Sequence, residues 1–159
     1  MSGDYFHHPF RFPGNAPGPF YTTGYQCPAT SDKSARLVWC GNCLWCEAPE
    51  IEAPELLAPL NDDNLNTYFV RQPLTEEEIE RACRALKVCC VCALRYGGKD
   101  ITVIRKLNND AELCDYTLDE LGNLVLTADA ETIIRIDAQN REWLAKQKRR
   151  WWEFWRWFS

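Results

Sequence analysis

Ile79, Ala82, Cys83 and Leu86 recur at helical spacing, with charged residues between them, and the run predicts a helix from Thr75 to about Val88. Its ends agree with that reading. Thr75 and Glu78 form a capping-box pair, Glu76, Glu77 and Glu78 occupy the first turn, and Arg81, Arg84 and Lys87 complement the dipole in later turns. Upstream, Ala35 to Trp39 predicts a short strand, and Cys46 to Leu57 predicts one or two helical turns interrupted by Pro49 and Pro54. Thr67 to Arg71 combines aromatic and β-branched residues after the turn-forming Asn61-Asp62-Asp63-Asn64, which predicts a strand ended by Pro73. Ala93 to Tyr96 predicts another, stopped by Gly97-Gly98.

Beyond Lys99 the pattern is shorter in range. Ile101 to Leu107 suits a short helix or a strand. Tyr116 to Leu118 and Leu124 to Thr127, separated by Gly122-Asn123, predict a hairpin. A long helix is expected from about Ala130. On its projection Leu144, Gln147, Trp151, Phe154, Trp155 and Phe158 share one face, and Glu142, Lys146, Arg149, Glu153 and Arg156 share the other. Such a helix suits the groove of a partner protein or a membrane surface, or it covers an acidic core.

Residues 1–34 show neither period. They hold five of the nine Pro, four of the eight Gly and seven aromatics, which predicts an extended arm lying across its own core or a partner's. The resulting division is an arm at 1–34, a core at 35–98, a small extension at 99–129 and a basic aromatic helix at 130–159.

Charge sharpens this division. Residues 141–159 carry six Lys or Arg against two Glu, a net +4, which leaves −9 on residues 1–140 from the total of −5. An acidic body argues against nucleic-acid binding and favours a partner with a basic docking surface. No apolar stretch approaches the length of a membrane-spanning helix, so a cytoplasmic protein, peripheral to a membrane at most, is expected.

The chain has nine Cys and no secretory signal pattern, so the thiols are expected to be metal ligands or reduced core residues rather than a disulfide framework. Cys40, Cys43 and Cys46 follow a strict three-residue step, and Cys89 appears at the end of the predicted helix. Three thiolates on one loop and a fourth from elsewhere is how a cubane iron-sulfur cluster is held. Cys83 has an apolar helix face as its place, and Cys27, Cys114 and one or both of Cys90 and Cys92 are expected in the core. Trp39 and Trp45 flank the thiols and either shield the cluster or pack ordinarily.

The run from Cys40 to Ile51, Cys-Gly-Asn-Cys-Leu-Trp-Cys-Glu-Ala-Pro-Glu-Ile, resembles the cluster loop of single-cluster bacterial-type ferredoxins, cyanobacterial members above all. Val88 to Leu94 is similar to that family's Cys-Pro-Val-Asp-Ala-Ile stretch, with Cys90 in place of Pro and Cys92 in place of Asp. Register with the motif favours Cys89 as fourth ligand over Cys90 or Cys92. The resemblance covers roughly residues 35–98. It implies an α+β, βαβ-like ferredoxin-type core that holds one 4Fe-4S cluster on Cys40, Cys43, Cys46 and Cys89, with 3Fe-4S occupancy second. The activity implied is one-electron transfer between protein partners, without catalysis.

Three alternatives stay open. Cys40-x2-Cys43 and Cys89-x2-Cys92 suit a zinc-stabilised interaction module, although the interval is long and Cys46 is left over. Trp39-Cys40-Gly41-Asn42-Cys43 is similar to a thioredoxin dithiol, without that family's framework upstream. The chain also suits a cluster-bearing structural subunit of a larger redox or photosynthetic complex.

Overall fold

A computed structural model describes residues 4–28 and 37–157. It is mixed α and β, with three two-stranded antiparallel sheets and four helices among the described residues. The strands are β1 (Phe20–Thr22), β2 (Gly24–Pro28), β3 (Leu37–Gly41), β4 (Leu94–Tyr96), β5 (Tyr116–Leu118) and β6 (Leu124–Leu126). The helices are α1 (Ala48–Glu52), α2 (Glu76–Val88), α3 (Ile101–Lys106) and α4 (Ala128–Trp157).

Helix α2 forms where its apolar spacing places it. Thr75 Oγ1 accepts from the Glu78 amide at 3.2 Å, and the Glu78 carboxylate accepts from the Thr75 amide at 3.3 Å, closing the capping box. Arg71 and two backbone amides bind the same carboxylate and hold it down to about 2, well below the usual range. The apolar face brings Ala82, Cys83, Ala85 and Leu86 into a core with Leu56, Leu57, Phe69, Leu94, Ile104 and Leu107. Each large side chain fully buried there contributes roughly 1.5–3 kcal/mol.

The arm is part of this core. Arm residues form β1 and β2, and β1 pairs with β4 so that Phe20, Tyr21 and Thr22 face Tyr96, Arg95 and Leu94. Phe6, Phe12, Phe20 and Tyr21 are buried, and the Phe20 ring lies 4.8 Å from that of Tyr96. Asn15 stitches the arm further inward. Its side chain donates to Phe12 and Thr22 carbonyls and accepts from the Thr22 and Phe69 amides.

That last bond bears on the strand expected at Thr67 to Arg71, which does not form. Tyr68 accepts from Ala58, Phe69 accepts from Ala16 and donates to Asn15, and Val70 donates to Leu56. The segment is extended but spends its backbone groups on irregular neighbours, leaving only an isolated Leu57–Phe69 bridge. Residues 101–107 resolve to a helix because Asp100 caps it, accepting from the Thr102 amide at 2.8 Å. The β5–β6 hairpin forms as expected, its turn held by Asp119 and by Gly122 at φ 82°. Of the strand expected at 35–39, Ala35 and Arg36 lie outside the described residues, and the observed strand continues to Gly41.

Helix α4 starts on the core and then leaves it. Thr127 donates its amide to the Asp115 carbonyl and its hydroxyl oxygen accepts from the Ala130 amide, and Ala130 is buried. From Glu131 to Arg149 no residue is buried. Covering an acidic core is therefore not what this part of the helix does. Phe158, which the helical projection places on the apolar face, lies outside the described residues.

Candidate functional site: the cysteine loop and the end of helix α2

Strands β2 and β3 deliver the cysteine loop. They pair antiparallel with Tyr25 opposite Cys40 and Cys27 opposite Val38, and Cys27 and Cys40 are joined by a disulfide across Cα atoms 6.2 Å apart. This corrects two expectations. Cys27 is not a core thiol, and the cysteines are not all reduced. In this form the lone pairs of the Cys40 sulfur are not those of a thiolate, and Cys40 is withdrawn from any ligand set.

Past Gly41 the chain turns. The Gly41 amide donates to Asn66 Oδ1 at 2.7 Å, and the Asn42 side chain donates to Thr23 Oγ1 at 2.9 Å. Residues 43–47 then run as an irregular loop with Trp45 and Glu47 in the left-handed region, at φ 57° and 59°. Trp45 is 55% exposed and Leu44 66%, so Trp45 does not shield the thiols from water, and Trp39 is only half-buried.

Cys43 meets a short chain of polar groups. Its sulfur lies 2.8 Å from Thr67 Oγ1, and the same hydroxyl is in hydrogen-bond contact with Glu50 Oε1 from α1. A carboxylate cannot donate, so the single hydroxyl proton goes to Glu50 and the Cys43 thiol donates to Thr67. The second carboxylate oxygen of Glu50 is buried without a partner.

Cys46 is exposed. The packing of α1 on α2 brings the loop that carries it toward Cys90, which stands next to Cys89 at the end of α2. Loss of water, and then the Cys46 sulfur, push the Cys90 thiol up. Cys89 is the C-cap of α2 and is buried, and its sulfur accepts from the Ala93 amide at 3.3 Å. Cys92 packs against the core at φ 48° and contacts Glu112, and burial raises its thiol. Cys83 and Cys114 are core thiols, as expected, pushed by burial up to about 11 and about 12.

Of the four expected ligands, then, Cys46 is brought toward the Cys89–Cys90 step, Cys43 stands at Thr67 and Cys40 is bound to Cys27. Thiolate donors suit iron and zinc chemically, but among the described residues no three His, Cys, Asp or Glu side chains are gathered closely enough to hold a metal ion. The disulfide-bonded form thus does not fit a cluster as it stands. Two participants escaped the sequence reading: Thr67, which was assigned to a strand, and Cys27, which was assigned to the core. The spacing of Thr67 from Cys43 carries no local signal.

No protein-family model matches this chain, and neither curated proteins nor solved structures supply a match.

Proposed function

We propose that the reduced chain is a one-electron carrier that holds a single 4Fe-4S cluster between the loop Cys40–Cys46 and the end of α2, and passes electrons between protein partners. The observation that carries this reading is the packing of α1, which begins two residues after Cys46, against α2, which ends just before Cys89, with Arg84 of α2 donating to Glu52 of α1 at 2.8 Å. It brings the thiol triplet toward thiols more than forty residues away, as a cluster held by a loop and a distant fourth donor requires. The likeness of residues 40–51 and 88–94 to single-cluster ferredoxins supports the same assignment, with Cys40, Cys43, Cys46 and Cys89 as ligands. Exposed Tyr25, Leu44 and Trp45 border the loop and suit transient contact with a partner.

In this reading the Cys27–Cys40 disulfide belongs to an oxidised form without cluster. Opening it takes two electrons and two protons, which a small dithiol reductant supplies while becoming a disulfide itself. The test is anaerobic treatment with such a dithiol, then iron and sulfide, followed by iron and acid-labile sulfide analysis. Near four of each per chain, with a paramagnetic signal on reduction, is the expected result. Zinc without labile sulfide would overturn it in favour of a zinc-stabilised module.

One observation favours a second reading. The disulfide lies three residues from the free thiol Cys43, and a thiol beside a disulfide is what thiol–disulfide exchange needs. Failure to take up iron, combined with turnover of a dithiol, would support it.

A further inference from the structure

Helix α4 is 30 residues long, about 45 Å, and between Glu131 and Arg149 none of its residues is buried. Ile134, Ile136, Trp143 and Leu144 are 43%, 40%, 59% and 58% exposed, which is a large apolar commitment for a stretch of helix that has left the core. Helical spacing places Ile133, Ile136, Leu144, Trp151 and Trp155 along one side, with the polar Asp137, Asn140 and Gln147 between them. Arg135, Lys146, Arg149 and Arg156 fall on the opposite side. Glu131, Glu142 and Glu153 are interspersed with them, and the last nineteen residues still carry +4.

We infer that α4 lies in the interface of an anionic lipid bilayer, its Ile, Leu and Trp stripe entering the headgroup boundary and its Lys and Arg residues paired with acidic headgroups. Three features select lipid as the occupant. Five of the seven Trp of the chain fall between Trp143 and Trp157, and Trp is the side chain whose ring sits best at headgroup level. Arg141 and Lys148 border that stripe in the helical projection, where each adds attraction to an anionic leaflet. The body carries −9, so an anionic surface repels it, and a helix that stands off the body lets it hang clear of the membrane. No helix among the described residues is long and apolar enough to cross a membrane, so the association is one of lying on the surface.

This inference stands apart from the electron-carrier reading. Its test uses the full chain, with vesicles of phosphatidylcholine alone and vesicles containing phosphatidylglycerol, read by co-sedimentation and by tryptophan emission. Expected are strong partition and a blue shift on the anionic vesicles, weakened by salt. Lys146→Glu, Lys148→Glu and Arg149→Glu combined should lower that partition by roughly 100-fold or more. Trp143→Ser with Leu144→Ser should lower it through lost apolar burial, without removing the salt dependence. No partition on anionic vesicles at low salt, or equal partition of the charge-reversed chain, overturns the proposal. So does a dimer in sedimentation that forms through α4 while vesicles stay empty, which would assign the face to a second copy.

Discussion

The hydroxyl of Tyr21 donates to Asp115 Oδ2 at 2.7 Å, a bond between two buried residues 94 positions apart in the chain. Arg95 binds the other carboxylate oxygen at 3.0 Å and also reaches the carbonyls of Ala111, Glu112 and Cys114. Burial pushes the Asp115 carboxyl up, against the pull of Arg95 and of the Tyr21 hydroxyl. The arm, β4 and the segment leading to α4 are thereby held at one polar centre. Tyr21→Phe removes one partner of a buried carboxylate and should cost about 1–3 kcal/mol in urea unfolding. Asp115→Ala, which strands the Arg95 charge, should cost more, about 3–5 kcal/mol.

Acid should loosen the arm through His8. This ring is buried beside Phe6, Phe10 and Tyr21, its Nδ1 accepts from the Phe10 amide, and burial first, then Arg95 and Arg11, lower it from 6.5 to about 4. The folded chain therefore keeps His8 neutral where the unfolded chain protonates it. Its contribution is complete above pH 6.5 and is lost as the pH falls toward about 4, up to about 3 kcal/mol in all. Unfolding free energies at pH 7 and 4.5 should differ less in His8→Asn, which retains an acceptor for Phe10.

The disulfide should be visible by thiol counting. Denatured without reductant, the chain should titrate seven thiols, and nine after reduction. Cys27→Ser should lower stability by about 3 kcal/mol, because the bridge closes a loop over a sequence separation of 13. Under the proposed function the same variant leaves Cys40 free and should take up iron and sulfide without prior reduction by a dithiol.

Thr67→Val removes the hydroxyl between Cys43 and Glu50 while keeping the volume of the side chain. The Glu50 carboxylate, whose second oxygen is already buried without a partner, then loses the hydroxyl that faces it, and urea unfolding should show a loss of about 1–3 kcal/mol. Thr67→Ser should restore the stability, and an unchanged Thr67→Val would show that water satisfies Glu50 instead.

Local pattern made several elements legible. Helix α2, its capping box, its end at Cys89 and the β5–β6 hairpin rest on hydrogen bonds between residues a few positions apart, so spacing alone announces them. The core place of Cys83 was legible from the apolar face of α2, whereas Cys114, between Glu112-Leu113 and Asp115, carries no such local pattern. Thr67 to Arg71 shows the limit. Its composition is that of a strand, yet Asn15, Ala16, Leu56 and Ala58 take its backbone groups before any ladder can.

The amino-acid sequence by itself determined helix α2 and the long C-terminal helix, where the thiols are concentrated, and that a basic aromatic helix follows an acidic body. Tertiary structure alone decided that the arm enters the core, that Cys27 pairs with Cys40, that α1 packs on α2 behind Cys46, and that Cys43 faces Thr67 and Glu50. Those choices depend on which distant segments become neighbours, through β1 on β4 and β2 on β3. Pairing of that kind is set by the fit of the whole core and by closure of long loops, and neither leaves a local signature in the chain.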